Sequence, residues 1–408
     1  MRRLLPFVLA TIILALAGIL WWRAGESSEP AGSQASLLPL LAEEGTAGFA
    51  RATEPGAIRF PRDLGAHDDY QTEWWYYTGN LESASGRRFG YQLTFFRRAL
   101  TPPAPAEEQA GGEVSEWRTD QVYLAHFTIS DVAGEAFYFD ERFARGAAGL
   151  AGAQADPYRV WLEEWFAAEV GVAGEGDRVR LFAETEEVAL DLILTETLPP
   201  VLHGDEGLSQ KGREPGNASY YYSLVQQATA GTVTVQGETY AVTGLSWKDH
   251  EYSTTALEPG AVGWDWFSLQ FDNGAALMFF QIRREDGSLQ AESSGTFVYP
   301  DGSTVHVPLD EWNLEVTDSW TSPDSGATYP AGWEIRIPSL DLELVGEPLL
   351  ADQELTVSTV YWEGAVQFSG TWQGGPVQAG QALQAGQALQ ANGYIEMTGY
   401  FETMDGRI

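Results

Sequence analysis

The chain has 408 residues, of which 44% are hydrophobic and 12% aromatic, so it can bury a large core and is long enough for two domains. With 23 Lys and Arg against 58 Asp and Glu, its formal net charge is -35, which repels phosphate backbones and anionic headgroups and argues against nucleic-acid binding. The sequence contains no cysteine, which excludes disulfides, thiolate nucleophiles and thiolate metal sites.

The first 22 residues predict export of the rest of the chain. Arg2 and Arg3 precede an apolar run over 4–22, close to the roughly 20 residues that span a bilayer. A small-x-small triplet at 15–17 resembles a cleavage site, but the apolar run continues beyond it, so a cleaved signal peptide and a signal anchor both stay open. Residues 23–64 are rich in Gly, Ala, Ser, Pro and Glu and are expected to be a flexible linker. The body is therefore expected in the periplasm or on the outer face of the inner membrane, with this segment as its only membrane contact.

Runs typical of β-strands recur through the body, separated by Gly, Asp, Asn and Pro. They are EWWYYTGNLE, RRFGYQLTFFRR, QVYLAHFTIS, RVRLFAET, VALDLILTE, YYYSLVQQ, TVTVQGETYAVTG and WFSLQFDNGAALMFFQIRR. With turn pairs such as Asn273-Gly274, this pattern predicts meandering antiparallel sheet rather than βαβ units. Only 156–170 looks helical, and the alternation of its apolar residues leaves helix and strand both open.

The fold class predicted from these runs is all-β. Sheets of strands joined by short hairpins must close or stack to cover their edges, and the high content of aromatic residues suits barrels with apolar interiors. The body is too long for one small barrel, so two barrels or two halves of one extended β body are expected. The hexapeptide QAGQAL occurs twice in tandem at 378–389, and we interpret it as an insertion in a hairpin loop that could be deleted with little loss of stability.

The stretch WKDHE (247–251) concentrates charged and aromatic residues. In an extended strand, side chains alternate between two faces. One face then carries Trp247, Asp249 and Glu251, and the other carries Lys248, His250 and Tyr252. The two carboxylates would lie roughly 7 Å apart, a spacing that suits an acid and a water molecule. Asp249 and His250 could share a metal ion only across a bulge. The structural alternative is a buried ion pair of Asp249 with an arginine such as Arg97 or Arg283.

Three other stretches concentrate aromatic residues. EWWYYTG (73–79) and GWDWF (263–267) each surround one acid, and simple barrel packing is the alternative explanation for both. SYYYS (219–223) would place Tyr220 and Tyr222 on one face and Tyr221 on the other, which suits an apolar, π-rich ligand. The sequence lacks HExxH, a phosphate-binding glycine loop, a dinucleotide fingerprint and a complete nucleophile elbow, so a serine or zinc hydrolase is disfavoured.

Together these motifs resemble the carotenoid 1,2-hydratase (hydroxyneurosporene synthase) family, in its AttH-like, lipocalin-like branch. The matching stretches run from about residue 67 to residue 402 and comprise HDDYQTEWWYYTGNL, YQLTFFRR, YLAHFTISD, SYYYS, WKDHE, GWDWFSLQFDNGAALMFFQIRR, YWEGAV and GYIEMTGY. The resemblance implies two consecutive lipocalin-like antiparallel β-barrels, which we place at 65–245 and 246–408. It also implies an ABC-type permease as a partner, because the AttH-like branch is often encoded beside such permeases.

The resemblance also implies roles for individual residues. In the carotenoid hydratases, the acid of a Tyr-x-Asp-His segment is thought to protonate an isoprenoid alkene before water captures the cation. By motif that acid is Asp249, with Trp247 at the aromatic position two residues before it. Such an acid must stay neutral near pH 7 and needs π faces around the cation, which Trp247, Tyr222 and Trp264 would supply. Tyr220 and Tyr222 replace a His and a Trp of the hydratases, and this departure favours binding over hydration.

Two functions follow as hypotheses. The first is an exported lipocalin-type protein that binds a long apolar, isoprenoid- or lipid-like ligand and works with a transporter. The second is a cofactor-independent hydro-lyase that adds water to an isoprenoid alkene. We predict no metal and no cofactor. The candidate catalytic residues are Asp249, Trp247 and Tyr222, and the candidate ligand contacts are Tyr220, Trp264, Trp266, Trp75, Glu251 and His126.

Overall fold

The structure is a computed structural model of the protein. The described residues are 45–103, 115, 119–171, 178–254, 257–372 and 387–404. They belong to one compact unit, Leu40–Ile408. The predicted export segment at 1–22 lies outside the described residues. Within them, the helices are three-residue 3-10 turns, and none has the length and apolar character needed to cross a membrane.

The described chain is almost entirely β-strand, as the spacing of aromatic and β-branched runs predicted. The strands of the first sheet are β1 (Thr72–Ser83), β2 (Arg88–Ala99), β3 (Gln121–Asp131), β4 (Ala136–Arg145), β5 (Ala151–Ala155), β6 (Tyr158–Leu162), β7 (Trp165–Glu169), β8 (Arg178–Glu184), β9 (Val188–Glu196), β10 (Val201–Leu202), β11 (Leu208–Gln210), β12 (Ala218–Val235) and β13 (Glu238–Ser253). Those of the second sheet are β14 (Ala261–Phe271), β15 (Ala276–Arg284), β16 (Ser294–Val298), β17 (Thr304–Pro308), β18 (Asn313–Thr321), β19 (Thr328–Ile337), β20 (Leu342–Pro348), β21 (Glu354–Thr356), β22 (Val360–Trp372) and β23 (Gln387–Met397).

Both sheets are antiparallel and curve into barrel-like bodies. The first has the order β4-β3-β2-β1-β13-β12-β9-β8-β7-β6-β5, with β10 and β11 also paired to β12. It is nearly closed, because β3 and β4 near one edge contact β5 and β6 near the other. The second has the order β17-β16-β15-β14-β23-β22-β20-β19-β18, with β21 paired to β22, and forms a half-barrel. The prediction of two consecutive lipocalin-like barrels is thereby confirmed.

The chain passes from the first sheet to the second between β13 and β14. β13 pairs with β1 and β12 as far as Ser253, and the second sheet begins at Ala261. The boundary that we placed at 245/246 therefore falls inside β13. As a consequence, WKDHE belongs to the first sheet, next to the crossing point.

The stretch 156–170, for which helix and strand were both open, forms the β6–β7 hairpin. The alternation decides the matter: Tyr158, Val160 and Leu162 are buried in the first barrel, as a two-residue period requires. Glu163 takes a left-handed conformation with φ 54° in the two-residue turn.

The end of the tandem QAGQAL repeat lies in a strand. Residues 378–386 lie outside the described part of the chain, but 387–389 open β23 and pair with the end of β22. Leu389 is buried in the second core. The expectation of a silent insertion over 378–389 is wrong for these three residues, because deleting them removes a core side chain and one end of a strand pair.

Apolar side chains form a core inside each sheet and a further layer between the sheets. Strand alternation requires this arrangement, because each strand sends successive side chains to opposite faces. The layer between the sheets, called the inter-sheet layer below, consists of Tyr76, Val201, Tyr221, Val225, Trp247, Ala261, Trp266, Ala276, Met278, Phe280, Ile282, Val298, Ala365 and Tyr394. The outward faces of the two sheets therefore pack against each other, and both are rich in aromatic residues.

Candidate functional site

The two faces of β13 have different surroundings, as alternation predicted. Trp247 and Asp249 point outward toward the inter-sheet layer. His250 and Tyr252 point to the inner side of the first sheet, where His250 stacks on Trp75 with ring centroids 4.8 Å apart. The register with β1 places Tyr76 opposite Asp249, so Tyr76 shares the outward face.

Asp249 is a buried acid held by neutral hydrogen-bond donors. The Tyr221 hydroxyl donates to Oδ2 over 2.8 Å, and the Trp247 indole Nε1 donates to Oδ1 over 2.6 Å. The Ser223 hydroxyl also donates to Oδ1. Asp249 is only 4% exposed. Burial raises the pKa of Asp249 to about 7, with a smaller contribution from Glu251, although the three donors oppose this shift. The neutral and ionised forms are therefore both populated near neutral pH.

Two further acids of the second sheet lie in the same region. Glu363 is fully buried, and the Tyr76 hydroxyl donates to its Oε1 over 2.6 Å, while its Oε2 has no partner among the described residues. Burial, reinforced by Glu396, raises the pKa of Glu363 well above its usual range. Glu396 accepts from the indole of Trp264 over 2.8 Å, and burial raises its pKa as well. The contact between the sheets thus holds several acids that favour the neutral form.

Glu251, the second carboxylate of WKDHE, is held differently. Its Oε1 lies 3.0 Å from Nζ of Lys211 and accepts a hydrogen bond from the Ser219 hydroxyl. Lys211 in turn lies over the ring of Phe280, 4.0 Å from its centroid. Of the two carboxylates in WKDHE, Glu251 is paired with a cation and Asp249 is not.

Polar side chains form a continuous row across the outward face of the first sheet. Successive cross-strand partners from β4 to β12 are Glu141, His126, Thr94, Tyr76, Asp249 and Ser223. Two of them reach the second sheet: Tyr76 bonds to Glu363, and Nδ1 of His126 lies 2.7 Å from the hydroxyl of Tyr361. The row connects the predicted contact His126 to Asp249 along one line of the sheet.

The inner face holds a different acid, Glu73, whose charge is compensated. Its Oε2 accepts from Nε of Arg97 over 2.8 Å, and its Oε1 lies 2.7 Å from Nδ1 of His67 and 2.8 Å from Nε2 of His250. Although burial opposes it, the Arg97 charge and the histidine hydrogen bonds hold the pKa of Glu73 well below its usual range. Tyr222 completes this group, with its hydroxyl 2.9 Å from Nδ1 of His250.

The same group is the set of side chains in the described structure whose ligand atoms lie close enough to hold a metal. It comprises His67, Glu73 and His250. The Glu73 oxygens already accept hydrogen bonds from both imidazoles and from the guanidinium of Arg97. Because a metal would have to displace these bonds, we interpret the group as a buried ion-pair network.

The proposed ion pair of Asp249 with Arg97 or Arg283 is not found. Arg97 pairs with Glu73, and Nε of Arg283 lies 3.1 Å from the carboxylate of Asp265. Within the described ranges, no cation forms an ion pair with Asp249. The structural alternative is wrong in that form.

The predicted site residues divide between the inner side of the first sheet and the region between the two sheets. Those on the outward side, in or beside the inter-sheet layer, are Trp247, Asp249, Glu251, Trp264, Trp266 and His126. Trp75, Tyr220 and Tyr222 lie on the inner side, where the hydroxyl of Tyr220 bonds the backbone of Glu54. The grouping of Tyr222 with Trp247 and Asp249 was wrong, because the register pairs Asp249 with Ser223 and so turns Tyr221 outward.

Several residues around Asp249 were not singled out from the sequence. They are Tyr76, Tyr221, Ser223, His203, Glu363 and Glu396. Glu363 and Glu396 stand in YWEGAV and GYIEMTGY, two of the stretches that carried the resemblance. That signal could have identified both acids, whereas Tyr221 and Ser223 depend on the register.

The fold and the site define a two-barrel, lipocalin-like protein with several buried acids between its sheets. A family model for AttH-like proteins matches residues 51–400, and the chain belongs to that family. An AttH protein from Nitrosomonas europaea is 35% identical, with a TM-score of 0.71 over 86% of this chain and 100% of its own. Kievitone hydratase from Nectria haematococca shares the fold, with 14% identity and a TM-score of 0.61 over 88% of this chain and 98% of its own. No curated protein matches the sequence.

Proposed function

We propose that the protein is an exported AttH-like, lipocalin-fold protein that binds a long apolar, isoprenoid- or lipid-like ligand at the Asp249 side of the inter-sheet layer. The observation that carries the proposal is Asp249 itself, a buried carboxyl held by three neutral donors among aromatic rings. A structural acid is commonly paired with a cation, because burying an unpaired charge is costly. A neutral acid beside aromatic rings can instead orient one polar group of an otherwise apolar ligand.

The surroundings of Asp249 define the chemistry of the ligand. Trp266 lies edge-on to Trp247 and to Tyr76, with ring centroids 6.3 Å and 5.1 Å away. Such edge-to-face rings pack against flat, unsaturated chains. The net charge of -35 disfavours anionic ligands. A neutral isoprenoid with a single hydroxyl or alkene fits these properties.

Binding can be tested with farnesol, a neutral isoprenoid alcohol, in competition with the neutral dye Nile red. We expect farnesol to bind the full chain and Trp266→Leu to weaken that binding at least about tenfold, because the Trp266 indole donates to the Tyr221 hydroxyl that holds Asp249. Trp161→Leu is the matched control, since Trp161 lies on β6 and bonds the backbone of Gly149. Failure to bind neutral isoprenoids, or equal loss in both variants, would contradict the proposal.

A second candidate function is acid-catalysed hydration of an isoprenoid alkene. The feature that favours it is a buried carboxyl that is held by three neutral donors, and its pKa of about 7 leaves a proton to donate at neutral pH. The carboxyl proton would pass to one alkene carbon, water oxygen would bond to the resulting cation, and one water proton would return to the carboxylate. One alkene and one water molecule therefore give one tertiary alcohol.

The two functions differ in their response to Asp249→Asn. Incubation of a terminal isoprenoid alkene with the protein in oxygen-labelled water should yield a labelled alcohol if the protein is a hydratase. The amide of the variant has no carboxyl proton to donate, so the variant should lose that turnover and keep the binding of farnesol. If the wild-type chain yields no labelled alcohol, the hydratase function is contradicted and only the binding function remains.

Export and a transporter partner are part of the same proposal. Their support is Arg2 and Arg3 before the apolar run at 4–22, together with the family. The ligand would then pass between the protein and an ABC-type permease. A reporter that is active only outside the cytoplasm, fused after residue 408, should be active. Activity of a cytoplasm-only reporter at the same position would contradict export.

A further inference from the structure

A chain of hydrogen bonds leads from Asp249 toward the surface. The Ser223 hydroxyl contacts Oδ1 of Asp249 and lies 2.6 Å from Nε2 of His203. On the other side of the imidazole, Nδ1 of His203 lies 2.9 Å from the hydroxyl of Thr296 in β16. His203 is 1% exposed and Thr296 is 4% exposed, so the chain runs through the interior.

The far end of this chain lies next to residues that line a surface cleft of about 440 Å³. Gly204, the residue after His203, lines the cleft, as does Ser294, two residues before Thr296 on the same face of β16. His306, the cross-strand partner of Thr296 on β17, is exposed and lines it too. Thr296 is thus flanked by residues that line the cleft, and Ser223, His203 and Thr296 lead from Asp249 toward it.

We propose that Ser223, His203 and Thr296 form a relay through which Asp249 exchanges its proton with water in this cleft. The proposal rests on the proposed function, because it serves the acid that we assign to the ligand site. His203, Ser223 and Thr296 act on Asp249 and are positioning residues rather than catalytic ones.

The relay works because each of its groups can both donate and accept a hydrogen bond. When Asp249 is neutral, its carboxyl donates to Ser223, Ser223 donates to Nε2 of His203, and Nδ1–H donates to Thr296. When each hydrogen moves one place along, Thr296 releases its hydroxyl hydrogen to water. Asp249 is then ionised, Nε2–H of His203 donates to Ser223, and Thr296 donates to Nδ1. One proton leaves Asp249 and one reaches water, and every group stays bonded in both states.

The imidazole must be neutral for this exchange of tautomers, and its surroundings keep it so. Burial, with smaller contributions from Lys211 and His306, lowers the pKa of His203 to about 3. The other titratable groups around Asp249 come from both sheets and from the segment before β12. They are Tyr76, Tyr221, Glu251, Lys211, Glu363 and Glu396.

The relay can be tested without a ligand by a rapid pH jump on the full chain, followed by infrared absorption. The carboxyl band that is missing in Asp249→Asn reports the protonation of Asp249. A jump from about pH 5 to about pH 9 brackets the pKa of about 7. Thr296→Val keeps the shape but removes the hydroxyl, and His203→Gln keeps a donor and an acceptor that cannot exchange roles. Both should slow the loss of the band at least about tenfold.

Thr296→Ser restores the hydroxyl and should restore the rate. Urea unfolding of the same variants distinguishes the relay from a purely structural role. A structural role would lower the free energy of unfolding and leave the rate of proton loss from Asp249 unchanged. Equal rates in Thr296→Val and the wild type would overturn the relay, as would a Thr296→Ser rate as slow as that of Thr296→Val. If exchange is fast in every relay variant and Trp266→Leu still weakens farnesol binding, the relay alone fails.

Discussion

The two faces of the first sheet show two ways of burying an acid. On the inner face, Glu73 is surrounded by Arg97, His67 and His250, and its negative charge is compensated. On the outward face, Asp249 accepts hydrogen bonds from three neutral donors, and burial raises its pKa to about 7. Glu73 and Asp249 lie on neighbouring strands, β1 and β13, so the difference comes from the side of the sheet and not from distance.

This comparison distinguishes an acid that is ionised and paired with a cation from an acid that keeps a proton it can donate. An ion pair such as Glu73 with Arg97 has little to offer a ligand, because both partners are already committed to each other. A neutral acid keeps a proton that can be donated, and its burial costs stability once it ionises. The first arrangement is a compensated charge network inside the barrel, and the second is the feature expected of a functional site.

The largest expected effect comes from breaking the ion pair on the inner face. Arg97→Met leaves Glu73 buried without its cation, and we expect a loss of about 3–5 kcal/mol in the free energy of unfolding. Both side chains of the pair are 0% exposed. Arg180→Met is the control, because Arg180 and Asp191 are 41% and 42% exposed and their pair should contribute at most about 1 kcal/mol. Urea unfolding near pH 7 measures both, and similar losses would refute the contrast between compensated and exposed charge.

The next effect concerns Asp249 and pH. Its pKa in the folded protein, about 7, lies above the ordinary value of 3.8, so the folded state binds the extra proton between these values. The stability from the neutral form is fully present below about pH 4 and is lost as the pH rises to about 7, with a limiting slope of about 1.4 kcal/mol per pH unit. The Asp249→Asn variant cannot ionise at this position, so its free energy of unfolding should be higher than that of the wild type at about pH 8.

Urea unfolding of both chains at several pH values checks this expectation. Asp272→Asn, in the exposed turn after β14, controls for the change in net charge. Parallel curves for Asp249→Asn and the wild type between about pH 4 and about pH 7 would show that Asp249 does not titrate there and that the outward face lacks a neutral acid.

The smallest expected effect comes from removing one tyrosine hydroxyl on each face of the first sheet. Tyr221→Phe removes a hydroxyl that donates to Asp249 and accepts from the indole of Trp266, and should cost about 1 to 1.5 kcal/mol. Losing a donor to the carboxylate should also raise the pKa of Asp249 further. Tyr77→Phe removes a hydroxyl on the inner face that is 2.6 Å from the hydroxyl of Tyr158, with a comparable cost and no effect on Asp249. Infrared titration of the Asp249 carboxyl distinguishes the two variants, and equal pKa values in both would contradict the assignment.

Much of the fold could be predicted because strand signals are local. The runs of aromatic and β-branched residues gave an all-β chain, and alternation within WKDHE correctly separated Asp249 from His250. The same alternation also correctly separated Tyr221 from Tyr220 and Tyr222. It could not say which of those two faces meets Asp249, and there the prediction chose the wrong tyrosine.

The sequence by itself determined the fold class, the two-residue period of the strand runs that it contains and the family, because these depend on neighbours along the chain. The register of β12 on β13 and the packing of the two outward faces were decided only by the tertiary structure. A shift of one residue in register would turn Tyr222 toward Asp249 and Tyr221 away from it. The pKa of Asp249 depends on burial by strands more than a hundred residues away, such as β1 and β23, and no local pattern carries that information.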